Sequence, residues 1–245
     1  MVIHRKLTTQ DVALTVSFTA LYVVFGFLKI SPIIGSLGQA YITAAAIMAP
    51  IIGVILGPYV STLSTFLGGL IGFFFGSFSP LGFVSGIVAA LCGGMIHKGK
   101  RIVSIFIYIS LLLLFTFYPT VGPAWLYPPL VWFQIIGLII LVSPLQSIAA
   151  KNLDSHNNSK LLYAFFVTSL TSTLAGQIAG SMTLEIINIS DVNYFEGIWK
   201  ITWLLYPVER TIIALGAGFI GASLHRVLRR TNILPLSSAK SENNV

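Results

Sequence analysis

Residues 40–101 read AYITAAAIMAPIIGVILGPYVSTLSTFLGGLIGFFFGSFSPLGFVSGIVAALCGGMIHKGKR. Apart from Tyr and Ser/Thr groups nothing polar interrupts this run until His97, and Lys98, Lys100 and Arg101 then close it. Pro50, Gly57-Pro58 and Ser79-Pro80 divide it into pieces of about the length that spans a bilayer, roughly 20 residues. Backbone in hydrocarbon must satisfy its own hydrogen bonds, so each piece has to be helical. The stretch predicts a compact three-helix unit that ends on one defined side.

Composition points the same way. Hydrophobic residues make up 56% of the 245, charged residues 9%, and the mean hydropathy is +0.90. A water-soluble core of this size cannot hide so much apolar surface, which predicts lipid as the solvent. The formal net charge of +7 does not imply nucleic acid. The basic residues sit in short clusters between apolar runs, where they carry topology information. Cys92 is the single cysteine, so no disulfide framework exists.

Outward from the central unit, Arg5 and Lys6 precede an apolar run that starts at Val12. It is too long for a signal peptide and has no small-residue cleavage site close behind it, so a retained first helix is expected. The reading is an all-α integral membrane bundle of about eight spans, near residues 12–30, 40–56, 58–76, 80–96, 102–118, 130–150, 161–185 and 203–226. A polar connector, KNLDSHNNSK at 151–160, and a second polar loop at 188–196 separate the last spans, and residues 231–245 form a polar tail. With both termini cytoplasmic, eleven of the 14 basic residues fall on the inner side and only Lys29 and Lys200 on the outer. That bias defines one orientation. Trp125, Tyr127, Trp132, Trp199 and Trp203 then gather near the outer ends, as an aromatic belt does.

Two nucleotide motifs fail on context. Gly94 to Arg101 (GMIHKGKR) ends in Arg101 where a phosphate-binding loop needs Ser or Thr, and it follows a span instead of a strand. Gly216, Gly218 and Gly221 fit G-x-G-x-x-G, but within an apolar helix where small residues permit close packing. No metal-spaced Cys/His set and no exposed acid–base pair occurs, so no catalytic chemistry, metal or cofactor is implied. Val60–Gly72 (VSTLSTFLGGLIG) echoes Val167–Ala179 (VTSLTSTLAGQIA), and the helices that follow end alike at His97-Lys98 and His225-Arg226. A parallel four-plus-four repeat explains this; biased membrane composition does so as well.

The central unit resembles the substrate-binding (S) component of energy-coupling-factor (ECF) transporters. The resemblance rests on a small apolar helix ending at Gly57-Pro58, a helix spaced by Gly68, Gly69 and Gly72, and a helix opened by Pro80 with Gly82 and Gly94 that closes on a basic cluster. That family has six spans, so residues 102–150 stand as an inserted hairpin. The resemblance implies capture of a vitamin-like small molecule from outside. It further implies a coupling membrane protein and two cytoplasmic ATPase subunits as partners. It places the contact with the coupling protein at Ala13, Ser17 and Ala20; ordinary packing between helices is the alternative reading of those positions.

Polar residues in the outer half are the candidates for substrate contact. Glu209 and Arg210 are adjacent charges in an apolar run, and intramembrane charges point to function. Consecutive helical positions diverge by about 100°, so the two pair poorly with each other and want partners elsewhere. Alternatively Pro207 opens the last helix and Glu209 sits at its N-terminus. Gln177 is placed to bind ligand or to join helices, whereas Gln39 and Trp203, with Asp191 and Glu196, lie in or beside loops that either close over a ligand or are solvated. The expected function is a membrane substrate-binding subunit of a transporter. A self-sufficient secondary transporter or channel, and a membrane scaffold or enzyme subunit, are the alternatives.

Overall fold

The computed structural model describes residues 9–34, 40–188 and 192–231. Gln39, Asp191, the basic residues at 5 and 6 and the tail beyond 231 lie outside the described residues. Helix α1 (Thr9–Gly26) leads into a two-stranded antiparallel hairpin, β1 (Lys29–Pro32) and β2 (Tyr41–Thr43). There follow α2 (Ala45–Leu56), α3 (Pro58–Phe74), α4 (Pro80–His97) and α5 (Arg101–Thr116). A short helix α6 (Pro123–Leu126) and a 3-10 turn (Pro128–Val131) precede α7 (Trp132–Val142), α8 (Pro144–Asn152), α9 (Asn158–Ile187) and α10 (Val192–Arg230).

Local chemistry sets these boundaries. Gly57 has φ 75° and Pro58 is the first residue of α3, so the chain reverses there without a loop. Ser79 caps α4 by accepting from the Gly82 N–H at 3.2 Å, with Pro80 at the first helical position. Asn157 caps α9 in the same way. The α2–α4 crossing is close because both helices present glycine: a Cβ on Gly53 would lie 2.3 Å from the Ala90 carbonyl oxygen, and one on Gly93 3.1 Å from the Pro50 carbonyl oxygen.

The fold is predominantly helical, with two departures from a purely α bundle of eight spans. The first run ends as a helix at Gly26 instead of continuing to 30, and Lys29–Pro32 pairs with Tyr41–Thr43 as the hairpin. Among the described residues, three helices are long and apolar enough to cross a membrane: α4, α9 and α10. A fourth counts if the bent pair 128–142 and 144–152 is one span; its halves meet at 63°. Helices α1, α2, α3 and α5 are apolar but shorter. The bend has a local cause, since Pro144 cannot continue the α7 ladder and Ser143 turns to cap α8.

Helix α10 starts at Val192, so residues 192–196 of the expected loop at 188–196 are helical. It runs unbroken for 39 residues, about 58 Å, and Pro207 lies inside it, so Glu209 is not at a helix N-terminus. Proline deprives the Trp203 carbonyl of its i+4 donor. The Trp132 indole N–H fills that place, donating to the Trp203 oxygen at 3.1 Å.

Helix α9 is the hub and packs against α2, α4, α5, α7, α8 and α10. Buried amides pin the bent pair onto it. Gln146 donates to Thr168 and accepts from Thr171, and Gln134 donates to Gln177 at 2.9 Å. Helices α3 and α5 lie outside, with broad apolar faces uncovered, among them Phe74, Ile102 and Phe106 at 72–82% exposure. Apolar surface on that scale is what lipid covers. One end of the bundle carries the hairpin and the start of α4. The other gathers Lys98, Lys100, Arg101, Arg229 and Arg230 with the α8–α9 turn.

Candidate ligand-binding cavity

At the hairpin end a cavity opens between the hairpin, α1, α2, α4, α9 and α10. With its open mouth included, the space amounts to about 820 Å³. Backbone bonds fix the hairpin over it, from Ile33 N–H to the Ala40 carbonyl and from Ala44 N–H to the Leu28 carbonyl, both 2.8 Å. The Lys29 ammonium lies 4.2 Å from the centre of the Tyr41 ring, which joins the two strands by a cation–π contact.

Glycines in and beside the wall are there for a steric reason. Tyr22 and Phe78 stack at 5.1 Å between centroids, and their rings occupy space that glycines leave open. A Cβ on Gly86 would stand 1.9 Å from the Tyr22 hydroxyl, and one on Gly72 2.2 Å from the Phe78 ring. The glycine spacing of α3 and α4 therefore houses two aromatic rings beside the cavity.

Glu209 and Arg210 both line it, and both are buried, at 9% and 6% exposure. The Ser31 hydroxyl in β1 donates to Glu209 Oε1 at 2.5 Å, while Oε2 has no partner. Arg210 Nε is likewise buried without a partner, and among the described residues no ion pair joins Arg210 to Glu209 or to Glu185. Their divergence along one helix is consistent with the lack of a direct ion pair between them. Pro50 leaves the Ala46 carbonyl without its i+4 donor, and Ala46 also lines the cavity.

The remaining candidates separate. Gln177 borders the cavity, but its amide oxygen accepts from Gln134 and its nitrogen donates to Ser181 at 3.0 Å, so it joins helices as well. Trp203 is not among the lining residues; it packs edge-on against Tyr127 and lends its carbonyl to Trp132. Gln39 lies outside the described residues. Glu196 forms an exposed i,i+4 pair with Lys200. Glu185 is fully buried with neither carboxyl oxygen bonded and is not a lining residue.

Ala13, Ser17 and Ala20 face outward from α1. That helix packs on α3 through Leu14, Phe18 and Tyr22 and through Thr19, whose hydroxyl meets Ser64 at 3.0 Å. Ordinary packing within the described fold therefore does not account for the three small residues.

Sequence reasoning missed Tyr22, Ser31, Tyr41 and Tyr206 as cavity neighbours. An isolated tyrosine inside an apolar span was the available signal for Tyr22. Ser31 has no such signal, because it reaches Glu209 only through the hairpin fold. Trp199 was misread as belt: it is fully buried, donates to the Val121 carbonyl at 2.9 Å and packs edge-on against Phe115. Comparison with protein-family models, curated proteins and solved structures returned no match.

Proposed function

We propose that the chain is a multi-pass protein of the cell membrane that captures a small molecule in this cavity. In that role it is the substrate-binding component of an ECF-type uptake transporter for a vitamin or other micronutrient. The observation that carries the reading is Arg210, buried at the cavity wall with its Nε unbonded and no hydrogen bond or ion pair to a protein group among the described residues. A charge so placed is costly unless something else meets it.

Three further features support it. The basic clusters collect at the end opposite the cavity, which under the positive-inside rule directs the cavity outward. The shorter helices α1, α2, α3 and α5 complete eight passes where the bilayer thins around them, at a modest cost per ångström of mismatch. The uncovered face of Ala13, Ser17 and Ala20 offers a coupling membrane protein a surface for close helix approach. Energy comes from two cytoplasmic ATPase subunits acting through that partner, since this chain carries no nucleotide motif of its own.

The test is affinity purification of the tagged chain from native membranes in mild detergent, with the co-purifying proteins identified by mass spectrometry. Recovery of ATPase subunits together with a second membrane protein supports the reading. Recovery of the chain alone, from membranes in which such ATPases are detected, replaces it with a self-sufficient transporter, to be examined by uptake into liposomes.

A further inference from the structure

Building on the small-molecule reading of the cavity, we propose that its ligand is amphoteric: one anionic group meets Arg210 and a hydrogen-bond donor or cationic nitrogen meets Glu209. Arg210 is all but removed from solvent, and its Nε has no acceptor. A guanidinium in that state is completed by a carboxylate or another oxyanion, which its planar fork grips at two points. Glu209 supplies the complementary half. The Ser31 hydroxyl occupies one carboxyl oxygen and leaves the other buried and free. A free carboxyl oxygen accepts, so the ligand atom facing it must donate.

Geometry argues against a singly charged ligand. Glu209 and Arg210 leave α10 about 100° apart, so a group bound to one does not satisfy the other. A purely anionic ligand would leave Glu209 Oε2 buried and unpaired, and a purely cationic one would leave Arg210 so. Each buried orphan opposes binding, and a charged one does so more strongly. A ligand with both groups removes both costs and keeps the cavity electrically balanced. Between the charges, the small-residue wall of Ala46, Ala49, Gly82 and Gly86 accommodates a compact apolar or flat body.

The experiment uses the full chain, purified in mild detergent. A small-molecule extract of the native cells is passed over cation and anion exchangers to give neutral, cationic, anionic and amphoteric pools. Each pool is added to the protein, thermal unfolding is followed, and the retained compound is identified after equilibrium dialysis. The expected result is a rise in Tm with the amphoteric pool. Binding of the identified compound should weaken by at least about tenfold in both Arg210→Gln and Glu209→Gln. Stabilisation by a neutral or singly charged pool alone overturns the amphoteric assignment while leaving the capture of a small molecule in place. Stabilisation by no pool overturns both. If the variants fail to fold, the pool that stabilises the wild-type chain decides by itself.

Discussion

The two ends of the bundle treat their charges in opposite ways. At the basic end Arg101 reaches across to the break between α7 and α8, donating to the carbonyls of Leu141 and Val142 and to Ser147. Arg229 donates to the Asp154 carbonyl at 2.5 Å and meets His156, while His225 stands 3.8 Å from the Asp154 carboxyl. His97 Nδ1, buried without a partner, is an exception there. At the cavity end Glu209 is half engaged and Arg210 has no bond. Charges at the first end hold turns and breaks in place, whereas at the second Glu209 ties the hairpin to α10 with one oxygen only and Arg210 makes no hydrogen bond among the described residues. A buried charge that does no structural work costs stability, a cost that ligand binding would offset under the proposed function.

The contrast makes opposite signs the decisive outcome. Arg210→Met replaces a buried unpaired cation by an apolar chain of similar length. It should raise stability without ligand by about 1–4 kcal/mol and abolish ligand binding. Thermal unfolding with and without ligand reads both effects, and a destabilised variant would break the contrast. Arg101→Ala should lower stability by about 1–3 kcal/mol, because three acceptors at the α7–α8 break lose a charged donor; an unchanged Tm would show that the bend holds without it. Ser31→Ala should cost roughly 1 kcal/mol and loosen the hairpin, which hydrogen exchange at 40–44 would report. Arg229→Ala, near the surface, should cost under about 1 kcal/mol, and a larger loss would mean that the α8–α9 turn depends on it.

The breaks at Gly57-Pro58 and Ser79-Pro80 were legible because glycine and proline act locally, whereas Pro50, expected to divide the run as well, lies inside α2. A positive φ at Gly57, a proline at the first position of α3 and α4, and a Ser79 cap need no distant partner. The same reasoning failed at Pro207, which sits mid-helix because Trp132, 71 residues away in sequence, supplies the missing donor. It failed at Trp199 too, since an indole near a span end looks the same whether it faces headgroups or the fold of residues 115–121. The echo between 60–72 and 167–179 is equally instructive. Both segments bond Ser/Thr hydroxyls back to the preceding turn, as Thr65 does to Ser61 and Thr173 to Ser169. Yet α3 leaves Leu63, Phe66 and Leu70 exposed, while 167–179 is buried throughout α9. Similar sequence has produced a peripheral helix and a central one, because their neighbours differ.

Of the candidate site, the sequence singled out Glu209, Arg210 and Gln177 as polar groups out of place in apolar runs, and the cavity brings all three to its edge. Trp203 belongs instead to the packing around the 118–132 connection. What the sequence determined by itself was the apolar character of the segments, the breaks between them and the separation of charge, all properties of single residues and their near neighbours. The tertiary structure decided which helix became the hub, that 29–32 and 41–43 paired as a hairpin, and that Ser31 met Glu209 while Arg210 found no hydrogen bond among the described residues. Those outcomes depend on which surfaces reach one another across the bundle, and local periodicity carries no record of that distance.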